Sequence, residues 1–144
     1  MRDSIIHVLL LPADPATVWE RSFGSAAALS SWFPQSIEGD YGDGGVFEMV
    51  WGEHRSQARM TIFDPPRVLA YQWHPGDAFT LDAHPEDQLT TVQFTLEPDG
   101  PNTKVTMVES GFANIAEDRR EWALGQNTGG WEEELAKLPK QYAS

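Results

Sequence analysis

Five short runs between Val46 and Phe112 alternate apolar and polar residues: "VFEMVW", "SQARMTIF", "VLAYQWH", "TTVQFTLE" and "KVTMVESGF". A period of two marks a strand with one buried face. The apolar phases are Phe47, Met49 and Trp51; Ala58, Met60 and Ile62; Leu69, Tyr71 and Trp73; Val92, Phe94 and Leu96; then Val105, Met107 and Glu109. The connections are mostly short turn clusters, "GEHR", "DPPR" and "PDGPNT". Consecutive strands joined in this way pair antiparallel. The apolar face of such a sheet must be covered. From Asn114 onward the period changes. Leu124, Thr128, Trp131, Leu135, Leu138 and Tyr142 are spaced 4, 3, 4, 3 and 4, which places them on one face of a helix. No other helical segment is long enough to cover the sheet. The fold class expected is therefore α+β, a curved antiparallel sheet wrapped around a long C-terminal helix.

The N-terminal third adds one strand and two short helices. "DSIIHVLLLPA" reads as a strand stopped by Pro12. Asp14 is placed to cap a helix whose first position is Pro15. Ser25 is placed to cap a second helix, "SAAALSSWF", which Pro34 brings to an end. "GDYGDGG" is a turn before the sheet. In the tail, Glu132, Glu133 and Glu134 fall mostly off the apolar stripe and read as solvated, with Glu133 set to pair with Lys137. No repeat, linker or low-complexity segment interrupts the 144 residues, which read as one domain, 1–144.

Charge and composition exclude several functions. The net charge is -12 and the ten basic residues are scattered, so nucleic acid and anionic membranes are poor partners. The apolar run "IIHVLLLP" is far shorter than the roughly 20 residues of a membrane span. It also fails as a signal peptide, because His7 interrupts it and no small-residue cleavage site follows. With no cysteine there is no disulfide framework and no thiolate chemistry, which fits a cytoplasmic location. No nucleophile motif stands out, and "GDYGDGG" precedes a strand rather than opening a helix, so it does not read as a phosphate cradle. His74 and His84 lie among Asp77, Asp82, Glu86 and Asp87, but without a metal-ligand spacing. Neither a metal nor a cofactor is expected. Six tryptophans, seven phenylalanines and three tyrosines are a large aromatic share, which builds either a ring-filled core or a ring-lined cavity.

The segments "PATVWE", "LSSWFP", "GDGGVFEMVW", "DPPRVLAYQW", "TTVQFTLEPDGPNTKVTMVESGF" and "NTGGWEEELAKL" together resemble the START-like, helix-grip (SRPBCC) superfamily. Within it the sequence is similar to the homologues of the activator of the heat-shock-protein-90 ATPase. The pieces span almost the whole chain in family order. The resemblance implies a helix-grip fold with a cavity between sheet and long helix. Members of the superfamily bind lipids, hormones or polyketides in that cavity, and some are enzymes. The eukaryotic co-chaperone carries an additional N-terminal domain that this sequence lacks, which argues against a chaperone-activating role.

The resulting expectation is a domain that holds a small apolar molecule between sheet and C-terminal helix. The inward set is Trp32, Phe33, Phe47, Met49, Trp51, Met60, Tyr71, Trp73, Phe94, Met107, Phe112 and Trp131, each of which also serves as plain core. Glu109 falls in the inward phase of its strand. It reads either as a polar anchor or acid/base, or, near the strand end, as a half-solvated carboxylate, and the second reading is favoured. Arg59 can partner it only if the phase of its strand shifts. Asn127 and Thr128 can contact a ligand or bond neighbouring backbone. Gly129 and Gly130 stand just before Trp131 in the helix, although each glycine there costs about 1 kcal/mol. They allow close packing, which is favoured, or leave a hollow. The alternatives are an enzyme on an apolar substrate, with Glu109, Tyr71 or His74 as acid/base, and a chaperone-interaction module. A homodimer is compatible with each of these.

Overall fold

The computed structural model describes residues 3–73, 89–115 and 117–142, with the exception of the His54 side chain. Its order is β1 (Ser4–Leu11), α1 (Pro15–Ser22), α2 (Ala26–Leu29), β2 (Ser36–Gly39), β3 (Val46–Trp51), β4 (His54–Asp64), β5 (Val68–Trp73), β6 (Thr90–Asp99), β7 (Asn102–Ser110) and α3 (Glu117–Leu135). A single turn of 3-10 helix, Phe112–Asn114, precedes α3, and another, Pro139–Tyr142, follows it. The strands form one antiparallel sheet in the order β1-β7-β6-β5-β4-β3-β2. The α+β helix-grip expectation holds. Strand β2 was not legible, because "SIEG" is short and has no alternating apolar phase.

Alternation decides which side chains face α3. Phe47, Met49, Ala58, Met60, Leu69, Tyr71, Trp73, Val92, Phe94, Leu96, Val105 and Met107 are buried in one core with Trp131, Leu135 and Leu138. Ile62 is the exception to its expected phase. The β4–β5 register shifts between Met60 and Ile62, so Ile62 turns outward and is 39% exposed, while Phe63 packs on the core. A bulge adds one residue to one strand, and that reverses the faces beyond it. On β1 the outward residues Ile6, Val8 and Leu10 are exposed, while Ile5 and Leu11 are buried.

The helix caps follow the sequence in part. Ser25 accepts the Ala28 N–H at 3.1 Å and caps α2. Asp14 occupies the N-cap of α1, but its carboxylate takes the Thr17 hydroxyl instead of a backbone N–H. The second helix stops at Leu29, well before Pro34. Gly111, with φ +96°, ends β7 in a conformation that side chains rarely adopt and turns the chain toward buried Phe112.

The tail departs from its expected stripe. Helix α3 begins at Glu117 and ends at Leu135, so Leu138 and Tyr142 lie beyond it. Pro139 cannot continue a helix, because it lacks an N–H and clashes with the preceding turn. The chain tightens instead into i+3 bonds, Lys137 N–H to the Glu134 carbonyl at 3.1 Å and Leu138 N–H to that of Leu135 at 3.2 Å. This tightening pairs Lys137 with Glu134 rather than with Glu133. Within α3 the buried line runs through Ala123, Trp131 and Leu135, four-residue steps that place Asn127 on it and leave Leu124 and Thr128 at its flank. Tyr142 then reaches α1, its hydroxyl 2.7 Å from that of Ser22.

Replacing Ser25 by alanine should lower stability by about 1 kcal/mol, read as a fall of roughly 2–4 °C in Tm for a chain of this size. Gly129→Ala should act in the other direction. Gly129 is exposed, and a Cβ built there meets nothing within 4 Å among the described residues, so a gain of up to about 1 kcal/mol of helix propensity should appear in the same melt.

Candidate functional site

Alternation in β7 puts Glu109 on the inner face with Val105 and Met107, and the structure buries it completely, at 0% exposure. The half-solvated reading is thereby corrected: the strand runs on to Ser110, and α3 crosses directly over the carboxylate. Four side chains point hydrogens at it. Oε1 accepts from Trp131 Nε1 at 2.8 Å and from Asn127 Nδ2 at 2.8 Å. Oε2 accepts from Trp73 Nε1 at 2.9 Å, from the Thr90 hydroxyl at 2.6 Å and from Asn127 Nδ2 at 2.9 Å.

All four of these partners are uncharged. Hydrogen bonds to a charged group contribute about 1.5–3 kcal/mol each, and burial of a bare carboxylate costs several. The cage therefore offsets the desolvation without a cation. Two indoles, an amide and a hydroxyl supply only hydrogens here, which suits a carboxylate whose oxygens accept. Arg59 is not a member. The phase shift of β4 comes after Met60, so Arg59 stays on the face opposite to Met60.

The cage brings distant parts of the chain together. Trp73 ends β5 and Thr90 opens β6, and the two are cross-strand neighbours. Val92 lies opposite Glu109 across the β6–β7 ladder. Asn127 and Trp131 are one helical turn apart on α3 and straddle the carboxylate from above. Around this cage the rings of Phe33, Trp51, Trp73 and Trp131 pack together, with centroids 4.9 Å apart for Phe33–Trp131, 5.3 Å for Phe33–Trp51 and 6.2 Å for Trp73–Trp131. Phe94 meets Trp131 from below at 5.9 Å. Trp51 is the half-buried member of the group.

The other apolar candidates belong to the same core. Trp32 stacks on Phe33, and its indole N–H is held by the Ser22 carbonyl at 2.8 Å. Phe47, Met49, Met60, Met107 and Phe112 are buried in the shared core. Half-buried Asn127 ties the helix to Glu109 through its amide N–H, whereas Thr128 bonds back to the Leu124 carbonyl at 2.7 Å. Gly130 is half-buried, and a Cβ at Gly129 or Gly130 finds nothing within 4 Å among the described residues. Among the described residues nothing lies near enough to demand the missing side chain, so they give the close-packing explanation of the two glycines no support. His74, His84, Asp77, Asp82, Glu86 and Asp87 fall outside the described residues.

Two residues were missed. Thr90 is in phase with Val92, Phe94 and Leu96, and extending that alternation by one step would have found it. Tyr41, read only as part of a turn, packs on Phe47 and Phe63 and donates its hydroxyl to the Phe23 carbonyl. No periodicity marks a residue in a glycine-rich turn. One polar atom is left over on the inner face. The Tyr71 hydroxyl is fully buried and has no hydrogen-bond partner among the described residues. Burial, then the Glu109 charge and Tyr41, push its pKa well above the usual phenol value.

Among the described residues no helix is long and apolar enough to cross a membrane, and no group of three or more His, Cys, Asp or Glu is placed to hold a metal ion. Several solved structures share the fold. Protein MLL2253 from Mesorhizobium loti superposes with a TM-score of 0.73 at 18% identity, covering 95% of this chain and 94% of that one. The Aha1 dimer from Colwellia psychrerythraea gives 0.75 at 17%, covering 98% and 96%. CalU16 from Micromonospora echinospora gives 0.71 at 22%, covering 98% and 76%. At these identities the likeness is one of fold. No match is found among curated proteins. The family described as "Activator of Hsp90 ATPase homolog 1-like protein" matches residues 12–143, and this helix-grip chain, with its carboxylate caged under α3, belongs to that family.

Proposed function

We propose that this domain binds a small, largely apolar molecule between the sheet and α3, on the ring cluster around Trp131. The supporting observation is the Glu109 cage. An interior built only for stability has no need of it, since replacing buried ionic groups by well-packed apolar ones is often neutral or stabilising. Departures of this kind from core rules cluster at functional sites. Trp51, half-buried beside Phe33 and Trp73, supports access to the cluster from solvent. Among the described residues nothing lies within 4 Å of a Cβ built at Gly130, which supports a place for a guest on the helix side.

The enzyme alternative assigns acid/base work to Glu109. Both of its oxygens are already occupied by donors, so a substrate would first have to displace one, and we prefer binding without reaction. A homodimer is proposed on one comparison, the Colwellia structure being of a dimer, and sedimentation velocity decides it. A chaperone-directed role is supported by the family description alone, and it falls if an immobilised sample of this chain retains no Hsp90 homologue. A cytoplasmic location stays part of the reading, supported by the absence of cysteine.

Binding is tested by thermal shift with naphthalene as probe. A ligand at 100 times its Kd stabilises the native state by about 2.7 kcal/mol, so a clear rise in Tm is expected. Gly130→Ala should raise the ligand-free Tm slightly, while Gly130→Leu should fold and lose the naphthalene shift. A wild-type chain indifferent to naphthalene, or a Gly130→Leu variant that still responds fully, would sink the reading. Glu109→Gln places an NH2 group among donors. It should destabilise the ligand-free domain by about 1–3 kcal/mol, measured by urea denaturation, and an unchanged midpoint would show the cage to contribute nothing.

A further inference from the structure

Several of the tryptophan and tyrosine polar atoms in the core have a partner within the protein. The indole of Trp32 donates to the Ser22 carbonyl, those of Trp73 and Trp131 to Glu109, and the Tyr41 hydroxyl to the Phe23 carbonyl. The Tyr71 hydroxyl has none among the described residues, although the residue is fully buried. An unsatisfied buried hydroxyl costs about 1–3 kcal/mol, and a phenylalanine of the same shape would avoid that cost. An aromatic core needs the ring of Tyr71 but not its oxygen.

The position of that oxygen gives it a use. Tyr71 lies two residues before Trp73 on the inner face of β5, with its ring edge-on to Trp73 at 5.3 Å and to Phe47 at 5.9 Å. It is near enough to Glu109 for the carboxylate charge to act on it. We propose that the Tyr71 hydroxyl is the hydrogen-bonding point for the polar end of the bound molecule, and that this molecule is an uncharged apolar compound bearing a hydroxyl or carbonyl oxygen. The inference rests on the binding reading above and adds the ligand's chemical class to it.

Charge selects against the alternatives. An anionic head group beside Tyr71 would face the buried Glu109 carboxylate. An ammonium group brings three hydrogens that need acceptors, and the Glu109 oxygens already take five hydrogen bonds. A neutral oxygen needs only one donor, and Tyr71 is that donor. Burial, with the Glu109 charge behind it, keeps the phenol protonated, so the donor persists across neutral pH.

The test is calorimetric titration of the full chain with four probes of one shape: naphthalene, 2-naphthol, 2-naphthoate and 2-naphthylmethylammonium. We expect 2-naphthol to bind about tenfold more tightly than naphthalene, with both charged probes weaker than either. Tyr71→Phe should bring 2-naphthol down to the affinity of naphthalene, leave naphthalene unchanged, and leave the ligand-free Tm equal or higher. The inference alone is overturned if naphthalene binds and 2-naphthol binds no better, if a charged probe equals 2-naphthol, or if Tyr71→Phe keeps the preference. A lower ligand-free Tm for Tyr71→Phe overturns it too, since the hydroxyl would then be satisfied within the protein. If none of the four probes binds, the binding reading falls and takes this inference with it.

Discussion

A carboxylate taken out of water must be surrounded by hydrogens, and in this chain that requirement organises the centre of the molecule. Glu109 lies on an inner strand with no exposure, and its two oxygens accept from Trp73, Thr90, Asn127 and Trp131. Those donors come from the end of β5, the start of β6 and the middle of α3. Each apolar pair in the core tolerates some repacking, but a buried charge does not tolerate a missing donor. The seating of α3 on the sheet is accordingly tied to hydrogen-bond geometry as well as to apolar contact. Only Ala123, Trp131 and Leu135 are buried along the whole of that helix. A helix with so short an apolar line gains little orientation from packing alone, and the Asn127–Trp131 pair supplies it.

The same constraint explains the composition around the cage. Tryptophan joins a large apolar ring to one donor, which lets Trp73 and Trp131 fill the core and serve the carboxylate at once. Phe33 and Phe94 have no such atom, and they occupy the spaces between the indoles. The paired glycines have a different basis. They keep the helix side beside Trp131 free of side chains where nothing described presses on them. Among the described residues no closer packing returns their cost in helix propensity.

Much of the architecture was legible in the residues. Period-two phasing identified the inner faces of β3, β5, β6 and β7, and placed Glu109 inward although a carboxylate there was unexpected. Ser25 was read correctly as a cap because its partner lies only three residues away. The errors share a physical origin. Ile62 was misplaced because a bulge is a property of two strands in register, and one strand's pattern cannot reveal it. The stripe of α3 was taken through Leu124 and Thr128 because apolarity was the only guide, while the residue that belongs on it, Asn127, is polar.

The sequence by itself determined the local terms: alternation for strands, the Pro12 stop of β1, the Ser25 cap and an inward phase for Glu109. These depend on neighbours within a few positions, which any reader of the chain can count. Tertiary structure alone decided what that inward carboxylate meets. Trp73, Thr90, Asn127 and Trp131 lie between 18 and 36 residues from Glu109 along the chain, and pairing across such spans leaves no periodic trace. It likewise decided that Tyr71, in the same phase as Trp73, would finish without a partner among the described residues, because hydrogen-bond satisfaction depends on where acceptors come to rest in space.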